Sequence, residues 1–457
     1  MAFLSLGSRA ARSAPDLAAL PGAVLPGSPE YELARKPPIA RFHDVRPQLI
    51  ALCRSADDVA ETIAFARRTG IETAVRSGGH CFAGRSSTRG IVIDVSPMRS
   101  LELARGLATV GGGARLGDVY DALSGHGRTI AAGCGPTVGI AGLALGGGLG
   151  ILGRKHGLTS DQLVGAEVVL ADGRVVDCDT QRNQELFWAL RGAGGGSLGV
   201  VTSLVFRTLQ APTATSFHVV WPVEHAAAVI AAWQTWAPLA PDELAASLLV
   251  TAPGDVAKPP VVNLFGAMLG TAADASELLA EAIACANPTS SSLTQMCYRD
   301  TKRYLVEHGP GDDQEGHLYS KSEFFRRPQP TQAIEALVDH LVHERTPGES
   351  RELDFSPWGG AYNRVSEDAT AFPHRSELFL LKHAVVVDPG VPSAEAAARQ
   401  WLARSWELVH PHGSGGVYPN FPDPELPDPG RAYYGANYER LLRVKAEYDP
   451  DGFFRPL

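Results

Sequence analysis

The chain has 457 residues, enough for about three folding units and for a large core that needs neither disulfides nor a structural metal. With 44% hydrophobic and 20% charged residues it reads as an ordinary globular protein rather than a disordered one, and a net charge of −9 argues against nucleic-acid or anionic-membrane partners, which select for Lys/Arg patches. Its 48 glycines exceed the average of ~7% and mark places where backbone approaches something closely.

Residues 1–30 have no apolar stretch of signal-peptide length before Arg9 and Arg12, and read as a loosely ordered arm of a cytoplasmic protein. PQLIALCRS predicts a strand. Ser55 then caps a helix over DDVAETIAFARRTG that stops at Gly70. IETAVRSGGH predicts a short strand running into a loop, GIVIDVSPM another strand, and LELARGLATVGGGARLGDVYDALSGHG a hairpin followed by a second capped helix. From Thr129 to Gly153 there is no charged residue over 25 positions, nine of them glycine, which disfavours a membrane-spanning helix and predicts loop and turn. Residues 164–176 predict a β-hairpin turning at Asp172-Gly173, and GVVTSLVFRT a further strand. From about 212, strand-like runs (SFHVVWPV, ASLLVTAP, VVNLFGAMLG, ELFLLKHAVVV) alternate with Ala-rich helices (EHAAAVIAAWQTWAPL, ASELLAEAIACA, TQAIEALVDHLV, SAEAAARQWLARSWELV), the pattern of a second α+β unit. Glu307 to Gly316 reads as a flexible loop, and the tail ends in a helix over YERLLRVKAEYD. The six cysteines form no CxxC pair and are expected to be mostly buried thiols.

Three glycine clusters carry the chemical signal. Arg76-Ser77-Gly78-Gly79-His80-Cys81 is either a tight turn with a surface histidine or a concavity of backbone N–H groups suited to a pyrophosphate. The run Gly139 to Gly150 interleaves glycines with apolar residues, so backbone can lie flat against a large planar or anionic ligand. It matches neither a dinucleotide GxGxxG unit nor a Walker loop. Arg191 to Gly199 is the third. Together they favour one extended anionic cofactor over three unrelated turns.

RSGGHCFAG, PTVGIAGLALGGGLG, GLTSDQLVGAEVVLADG and LRGAGGGSLGVVTS resemble, in order and spacing, flavoproteins with the vanillyl-alcohol-oxidase (PCMH) type FAD domain. The tail, VYPNFPDPEL through AYYGANYERLLRVKAEYDPDGFF, resembles the C-terminal segment of the berberine-bridge-enzyme-like subfamily. The resemblance implies an α+β fold: an N-terminal arm over 1–30, an FAD domain of two α+β subdomains over 31–211, a substrate domain with an antiparallel sheet and covering helices over 212–413, and a segment over 414–457 that returns to the FAD domain.

Position by position, the resemblance implies that His80 bonds the flavin 8α-methyl group. Arg76, Ser77, Gly78, Gly79, Cys81 and Gly84 would cradle the pyrophosphate, and Gly139, Gly142, Gly146, Gly147 and Gly150 the ring and ribityl region. His156, Asp161, Val200, Tyr434 and Asn437 would make further cofactor contacts. Many relatives link a second cysteine in a Cys-Pro-Thr-Val-Gly order, but here Cys134 stands one residue too early and Gly135 occupies the linking position, which favours a single histidyl link. Tyr418 in Tyr418-Pro419-Asn420 would deprotonate the substrate hydroxyl, with Lys382 supplying charge, while Phe421 stands where relatives often have a second tyrosine. Trp358-Gly359-Gly360 and His374-Arg375 would line the substrate cavity or brace its sheet. The expected activity is an FAD-linked oxidase acting on a hydroxyl of a sugar, glycoside, lactol or secondary metabolite, with oxygen as acceptor and no metal. A flavin dehydrogenase, an oxidative cyclase and a non-catalytic FAD-fold binding protein are the alternatives. Oligomeric state is not read from the sequence.

Overall fold

The computed structural model describes residues 16–309, 316–389 and 392–457. The first unit opens with β1 (Ala23–Val24), β2 (Leu49–Leu52), β3 (Thr73–Arg76) and β4 (Ile91–Asp94), a sheet of order β1-β2-β4-β3 whose last three strands run parallel. Parallel strands need a crossover, and the helix Ala56–Thr69 provides it. Ser55 caps that helix by accepting from Asp58 N at 3.2 Å, and Gly70 ends it at φ +70°. Residues 16–30 are less loose than the sequence suggests, because β1 pairs with β2 and Leu20 and Val24 are buried; residues 1–15 of the expected arm lie outside the described residues.

Strands β5 (Leu101–Ala104), β6 (Leu107–Gly111), β7 (Arg128–Thr129), β8 (Leu163–Val169), β9 (Val175–Asp179), β10 (Val200–Arg207) and β11 (Leu209–Gln210) follow. They form an antiparallel sheet of order β5-β6-β10-β8-β9 and a small β11-β7 pair. Asp172-Gly173 turns β8 into β9, with Gly173 at φ +86°. The expected second cap is missing: the helix Leu116–Ser124 starts at Arg115 with no side-chain cap. The chargeless run is not all loop either. Between Gly139 and Gly146, Ile140, Ala141, Ala144 and Leu145 find apolar partners in the core, so Ile140–Leu145 closes into one and a half turns of helix.

The second unit is a seven-stranded antiparallel sheet built from β12 (Thr213–Pro222), β13 (Leu244–Ala252), β14 (Val261–Met268), β15 (Ser290–Cys297), β16 (His317–Phe325), β17 (Glu349–Pro357) and β18 (Phe379–Val387), in the order β15-β12-β14-β13-β17-β18-β16. Alternation along each strand sends Leu248, Val250, Leu353, Phe355, Leu381 and Val385 into one core with Ile230, Trp233, Leu279, Leu337 and Leu402 of the covering helices. Ala245, Ser247, Asp354, Ser356 and Lys382 point the other way, into a cavity shared with the first unit. The tail packs on the first unit, where Leu441 and Val444 of the helix Tyr438–Tyr448 join the core that holds Leu186 and Trp188. Only Cys53 and Cys178 of the six cysteines are buried, contrary to expectation. The anticipated 307–316 loop begins inside the helix Tyr298–His308, and its residues 310–315 lie outside the described residues. Among the described residues no helix is long and apolar enough to cross a membrane.

Candidate active site

A cavity of about 600 Å³ lies between the glycine loops, the open face of the second sheet and the tail. Its first wall begins where β3 ends. Arg76 does not face the cavity; its guanidinium is buried and donates to Ser86 O (3.0 Å), Ala34 O (2.6 Å) and Ser87 Oγ (3.1 Å), which shapes the 77–86 loop from behind. Ser77, Gly78, Gly79, His80 and Cys81 line the cavity. A Cβ on Gly78 would sit 2.2 Å from Gly139 N, and one on Gly139 2.3 Å from Gly78 N, so the two loops meet backbone to backbone as only glycines allow. His80 Nε2 lies 3.0 Å from Thr137 Oγ1, a contact that orients the imidazole.

Gly142 and Gly150 also line the cavity. A side chain on Gly142 would meet no protein atom within 4 Å at its Cβ. The other expected cofactor residues serve the frame. Gly84 is needed because a Cβ would run into the Phe42 ring at 2.4 Å, Gly146 because it would strike Asn420 Oδ1 at 2.1 Å, and Gly147 packs on Phe372. Asp161 pairs with Arg375 at 2.7 Å, the two joining the first unit to the segment between β17 and β18. His156 lies outside the cavity, while Val200 is buried in the core between Gly199 and Val201, which do line it. Tyr434 donates to Ala193 O at 2.8 Å, and Asn437 donates to Glu367 O and Thr370 O. Trp358 reaches the cavity; His374 does not, being buried against Phe324.

The tail supplies the wall between the two units. Tyr418 is 2% exposed, and its oxygen accepts three N–H donors: Gly148 N at 2.9 Å, Leu149 N at 3.1 Å and Asn420 Nδ2 at 3.1 Å. Burial pushes its pKa above the ordinary tyrosine value, and these donors oppose that rise without cancelling it. Phe421 stacks on Phe82 at 5.7 Å, and Lys382 Nζ lies 5.1 Å from the Phe421 ring centre and 3.5 Å from Asp354 Oδ2 across the strands. Lys382 and Tyr418 therefore share one cavity, although 36 residues separate them.

Cys134 lines the cavity beside Gly135. Its Sγ lies 3.8 Å from Lys302 Nζ, which is buried between the Tyr120 and Tyr298 rings and donates to Ala132 O and Gly133 O. Arg85, Ser86, Asn420 and Arg455 complete the wall. Motif reading reaches Asn420 as part of Tyr418-Pro419-Asn420, but has no signal for Arg455, whose relevance depends on the chain terminus folding back over Gly194–Gly196. Among the described residues no group of three His, Cys, Asp or Glu side chains could hold a metal.

The cavity fits a flavin dinucleotide by three of its features: glycine backbone without side chains along its length, space where Gly142 would carry a side chain, and a buried Ser86 hydroxyl with no partner in the protein. Comparison with known proteins agrees. Residues 47–179 match an FAD binding domain and residues 417–456 the berberine and berberine-like family. The chain is 33% identical over 429 residues to the uncharacterized FAD-linked oxidoreductase YvdP of Bacillus subtilis (strain 168), covering 91% of this chain and 92% of that one. It is 30% identical over 439 residues to glucooligosaccharide oxidase of Sarocladium strictum, covering 90% and 86%. A solved glucooligosaccharide oxidase from Acremonium strictum, studied for its 6-S-cysteinyl, 8α-N1-histidyl FAD, shares the fold with a TM-score of 0.83 over 94% of each chain at 26% identity.

Proposed function

The chain belongs to the berberine-bridge-enzyme-like family of FAD-linked oxidoreductases, and from that premise we propose that it is an oxidase of a hydroxyl-bearing small molecule, with FAD attached to His80 and oxygen as electron acceptor. When bound, the flavin would take a hydride from the substrate carbon and pass the electrons to oxygen as hydrogen peroxide. The matching proton leaves the substrate hydroxyl for the Tyr418 oxygen, so that an alcohol becomes a carbonyl.

The single observation that carries this reading is the triple hydrogen bond to Tyr418. Three N–H groups converging on one phenol oxygen stabilise its anion more than its neutral form, which is what a tyrosine base needs. Burial still holds Tyr418 protonated at neutral pH, so turnover should rise on the alkaline side. Lys382, balanced by Asp354, would hold the substrate hydroxyl from the sheet side, and Phe82 and Phe265 offer apolar surface to a sugar ring or a secondary metabolite. Thr137 orients His80 for attachment. Gly135 at the position of the second link, with Cys134 turned toward Lys302, supports a single histidyl bond.

The test is a purified protein whose yellow colour survives acid precipitation and which releases peroxide from members of a panel of sugars and aromatic alcohols. Tyr418→Phe should keep the flavin spectrum and lose roughly a hundredfold or more in kcat. Unchanged turnover removes Tyr418 as the base, and colour lost on precipitation removes the covalent link.

A further inference from the structure

We propose that Arg85, Ser86 and Arg455 form a clamp for the diphosphate of the dinucleotide. The proposal rests on the FAD reading above, and it adds side chains to the backbone cradle that the motifs identify.

All three residues lie on the cavity wall. Among the described residues Arg85 makes no hydrogen bond or ion pair; its guanidinium rests 6.0 Å from the Tyr433 ring centre. Arg455 donates to Gly195 O from Nε (3.0 Å) and Nη2 (2.7 Å) and to Pro456 O from Nη1 (3.3 Å), all neutral carbonyls, and no carboxylate of the described residues pairs with it. Ser86 is 8% exposed, and its hydroxyl is buried with no hydrogen-bond partner. Each condition is unfavourable alone: two guanidinium groups near one another without a counterion, and a buried donor without an acceptor. Burial and Arg85 both push the Arg455 pKa down, as expected of a cation that lacks its anion.

One ligand removes all three penalties, a polyoxygen anion carrying about two negative charges. In a flavin dinucleotide the diphosphate is the only such group, and guanidinium forks match its oxygens. Position agrees as well. Arg85 and Ser86 end the loop that begins at Gly78-Gly79, and Arg455 is tied to Gly195 in the facing loop, so the clamp closes from both sides of the glycine cradle.

The test uses the full-length His80→Ala protein, in which flavin exchanges freely, and follows binding by quenching of flavin fluorescence. Arg85→Ala, which removes no bond within the protein, should weaken FAD by roughly tenfold or more and leave riboflavin, which has no phosphate, unchanged. Arg455→Lys should lose less, because it keeps the charge without the fork. Should riboflavin bind too weakly to measure, the salt dependence of FAD affinity decides, and Arg85→Ala should flatten it. Equal losses for FAD and riboflavin, unchanged FAD affinity, or an unaltered salt slope would overturn the clamp. A wild-type protein isolated without flavin and unable to take it up would overturn the FAD reading itself, a separate result.

Discussion

At the scale of single residues, Tyr418 concentrates the argument, because its environment pulls in two directions. Burial favours the neutral phenol, whereas Gly148 N, Leu149 N and Asn420 Nδ2 favour the phenolate. Asn420 is the donor that mutation can remove without touching backbone, and Nδ2 also donates to Leu143 O at 2.9 Å, which fixes its direction. Asn420→Ala should therefore raise the Tyr418 pKa further and move the alkaline rise in kcat upward by about one pH unit, or ~1.4 kcal/mol. A kcat–pH profile that does not move would show that the titrating group is not Tyr418. The motif around Tyr418 is legible in the sequence, but two of its three donors come from a loop about 270 residues earlier and become visible only in the fold. Phe421 fits the same picture: it cannot accept a proton, and it stacks on Phe82 where it shields the site with an apolar face.

At the scale of elements, the glycine loops do two different things, and substitution separates them. At Gly139 an added Cβ would meet Gly78 N and Ser77 Oγ, each at 2.3 Å, so Gly139→Ala should force the two loops apart and cost about 1–3 kcal/mol in urea unfolding. At Gly142, in the helix Ile140–Leu145, there is only open cavity; Gly142→Leu should leave stability within about 1 kcal/mol, since leucine is the better helix former, yet abolish flavin uptake. Normal flavin content in Gly142→Leu would place the ring elsewhere. Elements with a local cause are legible: Ser55 as cap, Gly70 as stop, and Asp172-Gly173 as turn all follow from short-range chemistry. β15, β16 and β17 are not. β17 reads as polar because Arg351, Glu352 and Asp354 are buried there, with Arg351 on Glu349 of the same strand at 2.6 Å and Asp354 on Lys382 of β18, and these buried charge pairs obscure the alternating pattern. β15, SSSLTQMC, is an exposed edge with little apolar content to mark it. The glycine loops are only partly legible: several of their glycines line the cavity, but Gly84, Gly146 and Gly147 are sites of close packing rather than cavity wall.

At the scale of the whole molecule, the two units are held together by buried polar bonds, and two buried histidines tie stability to pH. Arg154 reaches across to Pro238 O and Trp358 O, and Arg375 reaches back to Asp161. His374, stacked on Phe324 and 3.1 Å from Tyr433 O, sits where the tail meets the second sheet, and His383 is buried on β18 beside Ser405 Oγ at 2.8 Å. Burial pushes both histidines down to about 3. The unfolded chain takes up these protons near ~6.5, whereas the folded chain does not until near 3. Stability is therefore whole above the unfolded value and falls as pH drops below it, by up to ~1.4 kcal/mol per pH unit for each histidine. Glu323 and Glu377, raised by burial, act in the opposite sense, because folding favours their protonated form as pH falls toward their folded values. The histidine contribution can be isolated by comparing urea unfolding of wild type and His383→Gln at about pH 7 and about pH 5.5, a window below the unfolded histidine value. The variant should show a shallower slope, and an identical slope would mean that His383 is not held neutral. Because His374 joins the tail to the sheet that carries Lys382, acid that protonates it loosens the same junction that brings Tyr418 into the cavity. Loss of turnover, with the linked flavin retained, should accordingly begin at a higher pH than global unfolding followed by tryptophan fluorescence.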